Sequence, residues 1–486
     1  MSNHFGIDFG TTNSAIVWYD AQADRFRTIG DQIDNNPVPM VVAIKILTQK
    51  VECGRDVKQR WLELSECGQY YLIDSIKSCL DEDKVWATYD GQGWRPGRIA
   101  GELFHYLAHC TSRVSQHPLS QAVVAIPIGM NATKRAILRQ AAKAAGIEVL
   151  SFVYEPTAAC IASLEAIRHC RHVAVFDWGG GTLDISVLEL RDNHLMELHT
   201  IGWKRAGDDI DKLFAEWLHQ KIAEEKRIRK SFDEIAVHLQ QSLINQAEEC
   251  KRKLQLQDEA VIRFGNYEGH RVQQSITRKE FNALIKPTVE QAVDQLFACV
   301  KEAGLSVEEI GCLLLVGGSS KLMALDQELY SRWPSPNILT PEDAEWAIAK
   351  GAAILAANPG KYRLAESIGL RLDDNQFHAI LPAGTPLDEA TNSLHFGLVE
   401  ESRTASFVFE RTKTDSSQST QIGELHAETF GLSDEVIEMK SRITEDLIFE
   451  ATACSDKRRR PSQPYQYSEL CWKYELPHVP QGGKRQ

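Results

Sequence analysis

Two stretches of the chain repeat one plan. Residues 5–20 read FGIDFGTTNSAIVWYD and residues 174–188 read AVFDWGGGTLDISVL. Each is an apolar strand ending in Asp, then an apolar residue, a Gly-rich turn with Thr, and a second apolar strand. Asp8 aligns with Asp177, Gly10 with Gly179–Gly181, and Thr12 with Thr182. Glycine is a poor strand former, and a carboxylate beside an apolar run is costly if buried alone. The copies lie about 170 residues apart, the length of an ordinary domain. Duplication of a strand–turn–strand unit predicts two similar lobes that face each other.

GGGT alone reads equally well as a tight hairpin without a ligand. A dinucleotide-binding fingerprint would need a helix after the glycines, and a second strand pattern, LDISVLEL, follows instead. The pairing of the two turns favours a ligand. Glycines let backbone N–H groups approach an anion without a Cβ in the way, and Thr11, Thr12 and Thr182 add hydroxyl donors. Asp8 and Asp177 repel phosphate unless a divalent cation lies between. Magnesium keeps most of its water, so such carboxylates would hold it largely through water. Two hairpins in opposed lobes would then grip one polyphosphate from two sides.

The remaining pattern fits two lobes of α/β type. Residues 122–150 read as strand, loop, helix and strand, with Asn131 or Thr133 as cap and Gly146 as stop. Glu155 ends a strand and Pro156 opens a helix, where proline is tolerated. Residues 56–80, which contain Lys77, read as helical, as do 208–256. Glu248, Lys251 and Arg252 share a helix face by their spacing, by itself an ordinary salt-bridged surface. The run EKRIRK at 225–230 reads as a solvent face. IGCLLLVGGSSKLMAL (310–325) is a buried-type strand entering a glycine pair, and DAEWAIAKGAAILAA (343–357) is a small-residue helix suited to close packing. After residue 362, short alternating stretches separated by turn-rich segments predict a small antiparallel β domain. The predicted units are 1–170 and 171–357 (the lobes, helix 343–357 closing the second), 363–455 (the β domain), and an extended tail from 456. In that tail KRRR reads as solvated charge.

Bulk properties exclude some classes. With 486 residues, more than one core is expected. A net charge of -13 argues against a broad nucleic-acid surface. No apolar run approaches the roughly 20 residues that span a bilayer, and the N-terminus shows no secretory pattern. Eleven scattered cysteines, with no CxxC pair, predict reduced thiols, a cytoplasmic setting and no cysteine metal site.

Seven motifs, GIDFGTTNS, the Lys77 segment, AVVAIP, YEPTAA, VFDWGGGTLDIS, EECKRKL and LLLVGGSSKL, resemble in type and order the DnaK-type heat shock protein 70 family within the actin-like ATPase superfamily. The resemblance covers about the first 360 residues. It implies an α/β fold, a two-lobed actin-like ATPase domain followed by a small antiparallel β domain, binding ATP or ADP with Mg2+. It places Asp8 and Asp177 on the hydrated metal, and Gly10, Thr11, Thr12, Asn13, Gly179, Gly180 and Gly181 around the phosphates. Lys77, Glu155, Asp177, Thr182 and Asp184 would serve catalysis by positioning water and charge. Glu248, Lys251 and Arg252 would hold ribose and adenine, with Gly317, Gly318, Ser319 and Lys321 opposite. Pro127, Arg135 and Glu155 match a trio that couples nucleotide state to lobe position. No strong general base is evident, so slow turnover is expected.

The chain departs from that family in several places. The join ANPGKYRLAES is polar where the family has an apolar linker. Ser151 stands where the family has the arginine on which J-domain co-chaperones dock, and Tyr154 replaces an asparagine. Lys321 replaces an adenine-stacking arginine and Gln255 a serine on the base side. Lysine lacks the planar guanidinium. No helical lid follows the β domain. The expected function is an ATP-hydrolysing, chaperone-like protein binding an unfolded peptide or a dedicated partner through a lidless β domain, without nucleic acid or membrane. The alternative is a nucleotide-switched scaffold for one partner.

Overall fold

The computed structural model describes residues 4–476, apart from 21–22, 24, 87, 90–91, 116, 192, 334, 358–361, 374, 399–400 and 414–418. The first lobe is built on β1 (His4–Asp8), β2 (Asn13–Asp20), β3 (Arg25–Ile29), β4 (Gln121–Ile126) and β5 (Glu148–Tyr154), in the order β5-β4-β1-β2-β3. Strands β5, β4 and β1 run parallel, whereas β1, β2 and β3 form antiparallel hairpins. Helix α1 (Ala132–Ala144) returns the chain from β4 to β5. The Asn131 side chain caps it by accepting from the Lys134 N–H at 2.9 Å. Helix α2 (Glu155–Ala162) begins where β5 ends, with proline in its first turn.

The second lobe repeats this arrangement. Strands β6 (His172–Trp178), β7 (Leu183–Arg191), β8 (His194–Trp203), β9 (Cys312–Val316) and β10 (Ile338–Leu339) lie in the order β10-β9-β6-β7-β8, with the same succession of parallel and antiparallel pairs. Asp8 sits opposite Ala125 on its parallel neighbour, and Asp177 opposite Val316 on its own. The duplicated sequence is therefore a duplicated fold, with one aspartate at the same strand end in each copy. Helices α3 (Gly207–Lys226) and α4 (Val237–Leu254) belong to the second lobe.

Helix α5 (Ala344–Ala356), grouped by the sequence with the second lobe, packs instead on β1, β2, β4 and α2 of the first. Its small residues allow backbone to approach backbone. A Cβ on Gly351 would lie 1.8 Å from the Ala158 carbonyl oxygen, and one on Gly6 would lie 2.1 Å from that of Ala349. Neither neighbour is a flexible side-chain end. Gly351→Ala should therefore destabilise the protein by at least the roughly 1–3 kcal/mol typical of overpacking, read as a fall in the urea midpoint.

From residue 362 the described chain forms β11 (Tyr362–Leu364), β12 (Glu366–Arg371), β13 (Phe377–Leu381), β14 (Thr391–Gly397), β15 (Thr404–Lys413), β16 (Ser419–Glu428), β17 (Val436–Ile443), β18 (Phe449–Ser455), β19 (Tyr465–Tyr467) and β20 (Trp472–Glu475). Two four-stranded sheets, β13-β12-β15-β16 and β14-β17-β18-β19, make the β domain. Its buried Phe409 and Phe449, with Trp472 of β20, continue one apolar cluster with Phe5, Ile7 and Phe152 of the first lobe and with Val173 and Val175 on one face of the second lobe's sheet, whose other face has a core of its own.

Two expectations need correction. The segment before Lys77 is not one helix. Gly68, at φ 64°, ends the short helix Trp61–Glu66, and the β-prone run Tyr70–Ile73 pairs with Val42–Lys45. Lys77 then lies on a 3-10 turn, Ile76–Cys79. Nor is the chain from 456 to 476 simply an extended tail. Strand β19 joins the β domain, and β20 enters the second lobe's sheet between β8 and β11, giving the order β10-β9-β6-β7-β8-β20-β11. The reason is alternation in CWKYEL: Trp472 and Tyr474 are fully buried while Glu475 is exposed. Lys457 and Arg458 of KRRR pair with Asp434 at 2.9 Å and Glu428 at 2.8 Å.

Candidate active site

The two Gly–Thr turns meet across the lobes. A Cβ on Gly180 would stand 2.4 Å from Thr12 Oγ1, and one on Gly181 would stand 2.5 Å from Thr11 Oγ1. A Cβ at either position would push the facing threonine side chain away. The first turn closes tightly, since a Cβ on Gly10 would lie 2.0 Å from the Asn13 carbonyl oxygen. Gly10 N–H donates to Ser14 Oγ at 3.2 Å. The second turn is fixed by Gly179 N–H donating to the Thr182 carbonyl at 3.0 Å. The start of α3 also steadies it: the Gly207 and Asp208 amides donate to the carbonyls of Gly179 and Gly180, at 3.0 and 2.8 Å. Ser319 Oγ donates to the Gly179 carbonyl at 3.0 Å, so Ser319 supports the loop. Gly317 has φ 81°, and a Cβ there would lie 2.6 Å from Asp177 Oδ1.

Charged groups gather beside these turns. Asp177 and Asp184 face each other across the β6–β7 hairpin and are buried; Asp8 is half-buried. Lys77 Nζ donates to Glu155 Oε1 at 2.6 Å, and both side chains are more than nine-tenths buried. Burial, then Glu155, pushes the Asp8 and Asp184 carboxyls up to about 7, and raises Asp177 well above its ordinary value. Burial pulls Lys77 down, but Glu155 and Asp8 outweigh it and hold its ammonium charged. Asp184 Oδ1 accepts the Ile128 N–H of the first lobe at 2.8 Å, while its Oδ2 is buried without a hydrogen-bond partner. Carboxylates outnumber cations here, and one oxygen is orphaned. This donor set fits a hydrated divalent cation with phosphate.

A second charged cluster, beside the turns, is built from α3 and α4. Lys251 Nζ pairs with Asp211 Oδ2 at 2.7 Å, and both are largely buried. Burial first, then relief by Lys251, leaves Asp211 at about 6. Glu248 pairs with Arg252 at 2.6 Å on α4 and with Lys58 of the first lobe at 3.8 Å. Gln255 ties two walls: its Nε2 donates to the Lys251 carbonyl at 2.8 Å, and its Oε1 accepts the Met323 N–H at 3.1 Å. A cavity of about 250 Å³ touches Thr11, Thr12, Lys58, Asp208, Asp211 and Glu248. Lys321 and Gly318 are exposed. Lys58, Asp208 and Asp211 went unnamed in the sequence reading, although the spacing in GDDID puts Asp208 and Asp211 on one helix face.

Arg135 leaves the site. Its guanidinium is fully buried and donates to the carbonyls of Asp446 (2.9 Å), Leu447 (3.2 Å) and Ser468 (3.0 Å) in the C-terminal part, and its Nε to that of Met130 at 2.7 Å. Leu447 holds φ 58°, a strained value for a bulky residue. Pro127 accepts the Met130 N–H in the turn before α1. Ser151 Oγ and Tyr362 Oη share a hydrogen bond at 2.8 Å, and Tyr154 Oη donates to the Ser468 carbonyl at 2.7 Å.

A duplicated α/β fold with opposed Asp–Gly–Thr turns defines an ATPase-type nucleotide-binding domain of the actin-like superfamily. The family model described as Hsp70 protein matches residues 69–363, more than half of the chain. The chain belongs to the Hsp70 family, whose members are nucleotide-binding, ATPase-type chaperones. The match begins after the first hairpin and ends as the β domain begins. Among the described residues, no helix is long and apolar enough to cross a membrane.

Proposed function

We propose that this protein hydrolyses ATP slowly and uses its nucleotide state to control binding of an unfolded polypeptide by the β domain. The observation that carries the reading is the closed set of Asp8, Asp177, Asp184 and the Lys77–Glu155 pair beside two touching Gly–Thr turns. Phosphoryl transfer to water needs positioning and charge stabilisation rather than a covalent nucleophile. Asp8 and Asp177 would hold magnesium through water, and when bound the ion neutralises phosphate charge. The amides of Gly180 and Gly181 and the hydroxyls of Thr11, Thr12 and Thr182 would bind phosphate oxygens. Lys77, fixed by Glu155, presents positive charge toward the γ-phosphate. The free oxygen of Asp184 would accept a hydrogen bond from the attacking water. Asn13, Gly10 and Gly179 shape the turns, and Glu248, Lys251, Arg252, Gly317, Gly318, Ser319 and Lys321 flank ribose and base.

J-domain docking forms no part of this reading. Ser151 and Tyr154 are buried against the chain's own C-terminal segment. A cytoplasmic setting is supported by eleven cysteines without CxxC spacing.

Calorimetry should show ATP binding with magnesium, reduced by chelation. Affinity for an unfolded peptide should be lower with ATP than with ADP in the wild type, and equal in Lys77→Ala. Equal peptide affinity in both nucleotides for the wild type would end the chaperone reading while leaving the ATPase intact. Capture of one stable partner with no peptide affinity would point to the scaffold.

A further inference from the structure

Glu197 lies on β8 of the second lobe and is 1% exposed. Its carboxylate accepts three hydrogen bonds from two directions. Thr157 Oγ1, on α2 of the first lobe, donates to Oε1. From strand β20, the Trp472 N–H donates to Oε2 at 2.9 Å, and Tyr474 Oη donates to Oε1 at 3.2 Å. A buried carboxylate costs free energy unless its partners are fixed. Here the partners are neutral donors, and Glu366 is a charged neighbour of the same sign. Removing any one arm leaves a costly group in the core.

The position of the Thr157 donor matters most. Thr157 lies two residues after Glu155, the residue that holds Lys77. The same stretch is tied to the C-terminal part at every third residue: Ser151 to Tyr362, Tyr154 to Ser468, and Thr157 through Glu197 to Trp472 and Tyr474. The start of α2 is thus braced against β20, and β20 itself is bonded into the second lobe by His194–Glu475, Leu195–Tyr474 and Met196–Lys473.

We propose that Glu197 is a positioning residue for ATP hydrolysis: it joins the C-terminal strand to helix α2 and so sets the placement of Glu155 and Lys77. The inference rests on the ATPase reading above. Docking of β20 becomes a requirement for the hydrolytic geometry, and a partner that displaces β20 would slow the reaction without touching the nucleotide.

The test uses the full chain with magnesium and ATP, reading single-turnover hydrolysis and nucleotide affinity separately. Thr157→Val cuts only the α2 end and leaves both β20 contacts in place. It should lower the hydrolysis rate about tenfold, the loss expected when one buried hydrogen bond of about 1.4 kcal/mol stops holding the reacting geometry, with nucleotide affinity within threefold of wild type. Glu197→Leu should do the same. Glu197→Gln should keep the rate within twofold, because its carbonyl can accept the Trp472 N–H while its amide donates to the Thr157 and Tyr474 hydroxyls. A disulfide between Met196→Cys and Lys473→Cys, added to Glu197→Leu, holds β20 in place and should not restore the rate. Wild-type hydrolysis in Thr157→Val, or recovery through the disulfide, would reduce Glu197 to a structural anchor and overturn the proposal. A wild-type chain that neither binds nor hydrolyses ATP would overturn the ATPase reading itself, and the unmodified protein reports that directly.

Discussion

Lys77→Ala should abolish measurable hydrolysis, lowering the rate at saturating ATP by about 10²–10³-fold, the loss typical when one preorganised electrostatic group is removed. Among the described residues, Lys77 is the cation of the charged cluster beside the turns, and it sits 2.6 Å from Glu155 with both groups desolvated. Its removal also strands Glu155, and breaking a buried pair by deleting one partner destabilises by about 3–5 kcal/mol. The two effects separate in a double variant. Lys77→Met with Glu155→Gln removes both charges of the pair, so its urea midpoint should recover toward wild type while hydrolysis stays absent. Nucleotide affinity, read by calorimetry, should change far less than rate, because the Gly–Thr turns and the α4 face are intact. A double variant that regained hydrolysis would show that neither side chain takes part.

Arg135→Ala should loosen the β domain from the first lobe. The guanidinium is fully buried, and its terminal nitrogens donate to carbonyl oxygens of the C-terminal part, those of Asp446, Leu447 and Ser468. Each carbonyl left without a donor costs about 1–3 kcal/mol, so a loss of at least roughly 3 kcal/mol is expected on truncation. The strained turn at Leu447 loses its cation at the same time. Protection of the 444–448 backbone against hydrogen exchange should fall together with the denaturation midpoint. Arg135→Lys keeps the charge but not the fork, so it should fall between wild type and alanine. Unchanged exchange in the alanine variant would mean that the apolar contact alone holds the domain.

Local signals in the sequence carried much of the fold. The paired Asp–Gly–Thr turns foretold two lobes, because strand, turn and strand lie within sixteen residues and repeat. The cap at Asn131 and the proline opening α2 are equally local. Lys77 was found, though on a 3-10 turn rather than a long helix, since Gly68 and the β-prone YYLI outweigh helical spacing. What escaped was long-range. Glu197 carries no motif, and its partners are 40 residues before it and more than 270 after it. Arg135 was named through family likeness, but nothing near it in sequence indicates carbonyls more than 300 residues away. Strand β20 did leave a trace in the alternation of CWKYEL, which the preceding basic, proline-containing stretch obscured.

Strand β20 has a consequence for biosynthesis. The sheet to which it belongs begins at residue 172, yet its place beside β8 stays empty until residue 475 has been made. At about 5–20 residues per second, a ribosome needs on the order of tens of seconds to pass from β8 to β20. Throughout that interval the nascent second lobe carries an open strand edge, a template for mispairing with other chains. The newly made second lobe is therefore most exposed to mispairing before β20 closes the gap.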